Sequence, residues 1–294
     1  MANQFMNMLN NMAPRSNRSL EDLQNSKDQL KGMDAMELRG WASQNPLVPA
    51  RDLSDSLGTA LLATFQGQDD AVKIYLDGQS AEKGKDAVVK EVYAARWGPT
   101  QIPILNVVLL AVHHTPGDKQ PLLDLTRYLV GELGVPVDGT DVTGASALYW
   151  SISCKPFSEP DFAQILFDAG GSVNQKNRFG GTAASEIAQA DLAGDTSRNV
   201  AMLKWFLEHG GDIDGKDNDG MNVRMLVDMM AKRIPGMAAA VKEGRQGRQE
   251  GQCENCGRHG ADKSCARCKK VKYCEQECQK VDWKGHKKGC KAIA

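Results

Sequence analysis

From residue 253 to residue 290 the chain reads CENCGRHGADKSCARCKKVKYCEQECQKVDWKGHKKGC, which spaces eight metal-ligating side chains as Cys253-x2-Cys256-x8-Cys265-x2-Cys268-x5-Cys274-x3-Cys278-x7-His286-x3-Cys290. Seven of the protein's 8 cysteines lie in this stretch. Each Cys-x2-Cys can form a knuckle that aims two sulfurs at one ion, and the pairs Cys274/Cys278 and His286/Cys290 have the i,i+4 spacing of one helix face. Four pairs make two tetrahedral sites. Thiolate-rich sites with one imidazole and no open position suit structural zinc better than an iron–sulfur cluster. The segment has few apolar side chains, chiefly Ala261, Ala266, Val271, Tyr273, Val281 and Trp283. So small an interior cannot drive folding by burial, and metal binding must supply the folding free energy, on the order of 10 kcal/mol per zinc. Spacing leaves open which of three ways the four pairs combine.

Outward from this stretch the composition changes sign. The 294 residues carry a net charge of -1, yet from Arg245 onward 13 basic residues face 6 acidic ones, so the first 244 residues carry -8. Seven thiolates and two zinc ions reduce the formal +7 of the tail to +4. Lys269, Lys270, Lys272, Lys287 and Lys288 still give it a basic face, which reads first as the solvated surface of a small finger and second as a nucleic-acid site. With 41% hydrophobic and 25% charged residues the chain as a whole is a folded protein. It has no apolar run long enough to span a membrane and no secretory leader, so the expected location is intracellular, cytoplasm and/or nucleus. The segment 1–19 is rich in Asn and Met and reads as a disordered tail rather than a transit peptide.

The run from Cys268 to Cys290, with its Tyr-Cys, Cys-Gln, Asp-Trp and His-Lys elements, resembles the MYND zinc finger. The resemblance implies a cross-brace, in which Cys253, Cys256, Cys274 and Cys278 hold one zinc and Cys265, Cys268, His286 and Cys290 the other. His259 falls outside the pattern and reads as a loop residue. The same resemblance implies that the finger binds short proline-containing peptides through Gln279 and Trp283. Ala266 stands where some peptide-binding members carry a hydroxyl side chain. Trp283 has a second reading, as a core side chain packed across the zinc helix.

The larger part, residues 20–234, is built on a repeat. The blocks Gly170-Gly171-Ser172-Val173-Asn174 and Gly210-Gly211-Asp212-Ile213-Asp214, with a weaker copy at Gly134-Val135-Pro136-Val137-Asp138, are 40 and 36 residues apart. Apolar stripes at i, i+3, i+4 precede the first two, Phe162/Ile165/Leu166 and Met202/Trp205/Phe206, and the turns Asp141-x2-Gly144, Asn177-x2-Gly180 and Asp217-x2-Gly220 follow. Helix, glycine stop, exposed turn, next helix is the unit, and it resembles the ankyrin repeat. The family's Thr-Pro-Leu-His is replaced by Ser146-Ala147-Leu148-Tyr149, Thr182-Ala183-Ala184-Ser185 and Asn222-Val223-Arg224-Met225, so the copies are degenerate, two to three units between about Pro103 and Met230. Further helices are expected over 20–41, starting at Ser19 and stopping near Gly40, and over 57–65, 70–76 and 85–97. Pro235 is expected to close the last helix, and 235–252 reads as a linker with helical tendency at 237–242.

The sequence therefore predicts a mainly α protein, an ankyrin-like helical solenoid over 20–234 followed by a two-zinc cross-brace finger over 253–290. No nucleophile elbow, P-loop, dinucleotide fingerprint or His-Glu-x-x-His motif is present, nor the Asn-His-x-Cys-type motif of the SET domain that accompanies some MYND fingers. No catalysis is expected. His113-His114 reads as a surface loop before Pro116-Gly117, His209 as an imidazolium at a helix end, Cys154 as a buried small hydrophobe, and Trp205, Met225 and Met229 as core. The resulting expectation is an interaction adaptor with a protein or peptide partner; the alternative is a nucleic-acid-binding or transcriptional regulator using the basic finger.

Overall fold

A computed structural model describes residues 16–153, 158–187 and 196–292. Cys154 and most of the tail expected over 1–19 lie outside them. The described chain is mainly helical. Its helices are α1 (Leu20–Asn25), α2 (Gly32–Gln44), α3 (Pro49–Asp52), α4 (Ser56–Phe65), α5 (Ala71–Lys83), α6 (Lys85–Ala94), α7 (Ile104–His114), α8 (Gln120–Arg127, prolonged by a wider turn over Tyr128–Leu133), α9 (Ala147–Ile152), α10 (Pro160–Asp168), α11 (Ala184–Ile187), α12 (Ser197–Glu208), α13 (Val223–Met230) and α14 (Pro235–Glu243). The hairpin β1 (Lys263–Ser264) and β2 (Lys272–Tyr273) and the helix α15 (Gln276–His286) follow.

Short polar residues set the helix starts, because a side-chain oxygen can take one of the N–H groups left unpaired in the first turn. Ser19 accepts from Asp22 N, Asp55 from Gly58 N, Ser146 from Tyr149 N and Asn222 from Met225 N. Ser146 and Asn222 thus each cap the helix that follows one of the turns. Helices neighbouring in sequence pack on one another, α4 on α5 on α6, α7 on α8, α9 on α10 and α11 on α12. Their buried faces, with Leu61, Val92, Val108, Leu129, Phe162 and Phe206 among them, form one continuous core.

Between helix pairs the turns repeat in detail. Asp141, Asn177 and Asp217 each accept, through Oδ1, from the backbone N–H groups two and four residues on, at 2.8 to 3.2 Å. Each also closes a small hairpin by donating its own N–H to the carbonyl four residues on. Successive turns are then stitched edge to edge: Val142 N donates to Thr100 O (3.0 Å), Arg178 N to Thr143 O (2.8 Å) and Asn218 N to Phe179 O (3.1 Å). The turns were expected to be exposed; Asp219 and Gly220 are, whereas Arg178 and Phe179 are buried where the segment carrying α1 and α2 folds back over them, Asn177 is buried against the Tyr149 hydroxyl, and Thr143 is buried as well.

Other expectations are corrected by packing. α2 runs through Gly40 to Gln44, because Gly40 does not take the positive φ by which a glycine ends a helix. Pro235 opens α14 at its first turn, where a missing N–H costs nothing, and does not merely end α13. The stretch expected as a linker over 235–252 thus begins with a helix whose Met237 and Ala240 are buried and which packs on α12. His113 and His114 are the last residues of α7 and not part of a loop. Met225 and Met229 are exposed, at 42% and 69%, because α13 covers the core with Val223 and Val227 instead. Trp205 is half-buried and packs against the core. No helix among the described residues is long and apolar enough to cross a membrane.

Candidate metal centre

The finger is assembled from two knuckles, the hairpin and α15. In the first knuckle Gly257 N donates to Cys253 O (2.9 Å), and in the second Lys269, at φ 51, donates from N to Cys265 O (2.9 Å). The hairpin pairs Lys263 with Tyr273 and Ser264 with Lys272, which brings Cys274 round to the first knuckle. Cys278 and His286 lie on α15, and Cys290 follows it. Cys253, Cys256, Cys274 and Cys278 gather in one cluster and Cys265, Cys268, His286 and Cys290 in another, the ligand atoms within each lying no more than 4.8 Å apart. Cys256 Sγ is 3.5 Å from Cys274 Sγ, Cys265 Sγ 3.8 Å from Cys290 Sγ, and Cys268 Sγ 3.4 Å from His286 Nε2. Zinc–sulfur bonds of about 2.3 Å in a tetrahedron place sulfurs about 3.8 Å apart, so both clusters fit zinc. Of the three combinations that spacing allows, the fold selects the interleaved one.

Without a cation each cluster cannot carry all its charge. Hydrogen bonds from Cys256 and Cys278 push the Cys253 thiol far down, and the same neighbourhood pushes Cys278 far up. In the second cluster the backbone N–H of Cys268 lowers Cys265 to about 6, while burial raises Cys290 to about 11. Crowding the thiols together opposes their joint ionisation. A divalent cation reverses this by neutralising the crowded charge, which is the chemistry zinc supplies here.

Tyr273, fully buried, anchors the hairpin to α15 by donating its hydroxyl to Asp282 Oδ2 at 2.7 Å. The other oxygen of Asp282 takes the Arg245 guanidinium, so this buried carboxylate is satisfied on both sides. Trp283 is 38% exposed on α15, its ring centroid 5.8 Å from that of His286, and Gln279, one turn earlier, is half-buried. Ala266 is exposed, and His259 lies outside both clusters, bridged to Gln252. Lys269, Lys270, Lys272, Lys287 and Lys288 are all exposed.

The finger does not hang from a linker. Asn255 Nδ2 donates to Gly210 O (3.2 Å), Arg258 donates to Phe167 O (2.8 Å) and Gly171 O while its guanidinium lies 4.1 Å over the Phe167 ring, Arg248 pairs with Glu208, and Lys284 Nζ meets Asp212 Oδ2 at 2.7 Å. The docking site is the pair of Gly-Gly helix ends, 170–171 and 210–211. Gly210 sits at φ 81, and a Cβ there would lie 2.5 Å from Asn255 Nδ2. His209, beside it, is C-cap of α12 and stacks on Trp205 at 3.9 Å, where burial lowers its pKa and works against the expected imidazolium. The arginines were missed as docking residues. Their signal was the choice of Arg over Lys at the seam between an acidic and a basic part, since a guanidinium fork can satisfy several carbonyls at once.

Residues 253–290 match the MYND finger family, and this part of the chain is a MYND zinc finger with two zinc sites. Over 38 residues, 13% of this chain and 10% of the other protein, it is 58% identical to Dauer abnormal formation protein 25 of Caenorhabditis elegans. It is 49% identical over 45 residues, 15% of this chain and 10% of the other, to SET domain-containing protein 14 of the same organism. Over 43 residues, 14% and 6%, it is 51% identical to Ubiquitin carboxyl-terminal hydrolase 19 of Arabidopsis thaliana. The chain spans a tenth or less of the length of these curated relatives, and the likeness is one of fingers.

Proposed function

We propose that this protein is an interaction adaptor, in which an ankyrin-like helical array and the MYND finger each bind a partner protein or peptide and no catalytic step takes place. The observation that carries the reading is Trp283: a large aromatic side chain left 38% exposed on the zinc helix, with Gln279 one turn before it. An extended proline-containing peptide loses little conformational entropy on binding, packs on such an aromatic face and leaves carbonyls for a side-chain amide. The finger's occurrence within proteins bearing names as different as those above agrees with a portable interaction module. Reduced thiols in metal clusters suit an intracellular site, cytoplasm or nucleus.

The test is titration of the zinc-loaded full chain with labelled proline-containing peptides. Trp283→Ala should weaken binding at least about tenfold, equivalent to about 1.4 kcal/mol, with two zinc ions retained. Loss of zinc along with binding would return Trp283 to a structural role. The exposed lysines of the finger support the second reading, nucleic-acid binding, which a steep fall of affinity with salt for an oligonucleotide would favour.

A further inference from the structure

The segment over residues 16–45 is attached to the array in an unusual way. Leu23, Leu30, Ala35 and Leu38 are buried, but in a small cluster of their own whose one buried partner from the array, among the described residues, is Phe179, at a turn tip, with Val142 at its edge. The main core is elsewhere. Between α1 and α2 the chain is not helical, and Ser26 and Lys31 at its ends have extended backbone. It crosses the tips of the stitched turns, and most of its polar contacts there are made by its backbone, with the side chains of Ser26, Asp28 and Gln29 adding the rest. Leu30 N donates to Arg178 O (2.7 Å), Asn218 Nδ2 to Leu30 O (2.8 Å), Arg178 Nη1 to Leu23 O (2.8 Å) and Arg178 Nε to Asp28 O (3.1 Å). Arg178 Nη2 reaches Ser26 Oγ at 2.7 Å, and Gly32 N donates to Asp219 Oδ1 at 3.0 Å. The one apolar side chain that the extended stretch buries is Leu30, 2% exposed.

These are the features of a peptide-binding surface: main-chain bonds for affinity, one pocket for an apolar side chain, and an arginine for a polar group upstream. We propose that the turn tips around Val142, Arg178, Phe179 and Asn218 are a docking surface for an extended partner peptide, and that residues 26–31 are its built-in occupant, displaced when the partner binds. The partner segment carries a leucine, and a hydroxyl or carboxylate two to four residues before it to meet Arg178, as Ser26 and Asp28 do. Because the cluster under the segment is separate from the main core, lifting the segment costs only a local opening and leaves the helix pairs packed. A tethered occupant acts at an effective concentration of order mM, so it screens out weak ligands and yields to a tight one. The surface is on the array, and its test leaves Gln279 and Trp283 untouched.

The experiment uses the full chain carrying Leu30→Asp, which disables the occupant and leaves the docking surface intact. Protease cleavage within 26–31 should rise at least tenfold while thermal unfolding of the array is unchanged. The variant should bind a labelled synthetic peptide of residues 16–45 saturably and at least tenfold more tightly than the wild-type chain does, and Arg178→Ala added to it should abolish that binding. Hydrogen exchange on the unaltered protein supplies the second measurement: amides of α1 and of Leu30 should exchange at least tenfold faster than those buried in α7. Equal protection of the two regions, loss of the array's helical signal in Leu30→Asp, or equal peptide binding by variant and wild type would each overturn the proposal and make the segment a fixed part of the fold.

Discussion

Arg258 does at one position what no lysine could. It bonds two carbonyls at the Gly-Gly helix ends from one nitrogen, Nη2, while its planar guanidinium lies over the Phe167 ring, and a compact, strongly hydrated ammonium cannot combine those bonds with a flat contact on the ring. Arg258→Lys should therefore lower the stability of the docked finger by about 2 kcal/mol, the worth of a charge-assisted hydrogen bond, read as a lower denaturant midpoint with zinc content unchanged. Asp282 behaves differently because it is buried and paired on two sides. Asp282→Ala leaves Arg245 and the Tyr273 hydroxyl without their partner and should cost about 3 kcal/mol, a loss seen as faster zinc release to a chelator. The ligand residues were legible in the sequence because only thiolate and imidazole side chains in closely spaced pairs can build such a site. The exposed pair Met225 and Met229 was not, since i,i+4 spacing identifies a helical face without saying whether anything covers it.

Among the elements, α15 matters most to the metal sites, because it supplies Cys278 to one cluster and His286 to the other. The protein should bind two zinc ions per chain, counted by native mass spectrometry. Cys265→Ala and His286→Ala should empty one and the same site, Cys253→Ala and Cys274→Ala the other; finding Cys253 and Cys265 at a shared ion would mean a sequential arrangement. At the end of α12, a Cβ on Gly211 would lie 2.0 Å from Phe206 Cε1, in a ring that is fully buried. Gly211→Ala should cost about 3 kcal/mol through the shift it forces, measurable as a drop in thermal midpoint. Helix starts were legible where a cap residue marked them, as at Ser19. Pro235 was read in the wrong direction because proline both ends one helix and suits the first turn of the next.

On the scale of the whole molecule, the finger and the array form one body. Cys253, Cys256 and Tyr273 belong to the same continuous core as Phe206 and Met237, and the charge split between an acidic array and a basic finger is partly spent in the contacts of Lys284 with Asp212 and Arg248 with Glu208. Chelation should thus do more than melt residues 253–290. It should also reduce hydrogen-exchange protection in α12 and α14 by at least about tenfold, while α7 and α8, farther along the array, keep theirs. Unchanged protection in α12 would show that the finger docks without stabilising the array.

By itself the sequence determined the finger, because zinc chemistry admits few residue types and the spacing of pairs is local, and it determined the helix–glycine–turn period, because a helix face and its stop are written within some forty residues of one another. The tertiary structure alone decided which turn tips are covered and where the finger sits, whereas the pairing of ligands that spacing left open was already implied by the resemblance. Those outcomes rest on contacts such as Arg258 with Phe167, 91 residues apart, and Arg178 with Leu23, 155 residues apart. A guanidinium reaching a distant backbone carbonyl depends on where two folded surfaces meet, and carbonyls, being common to every residue, leave no mark in the sequence to announce the pairing.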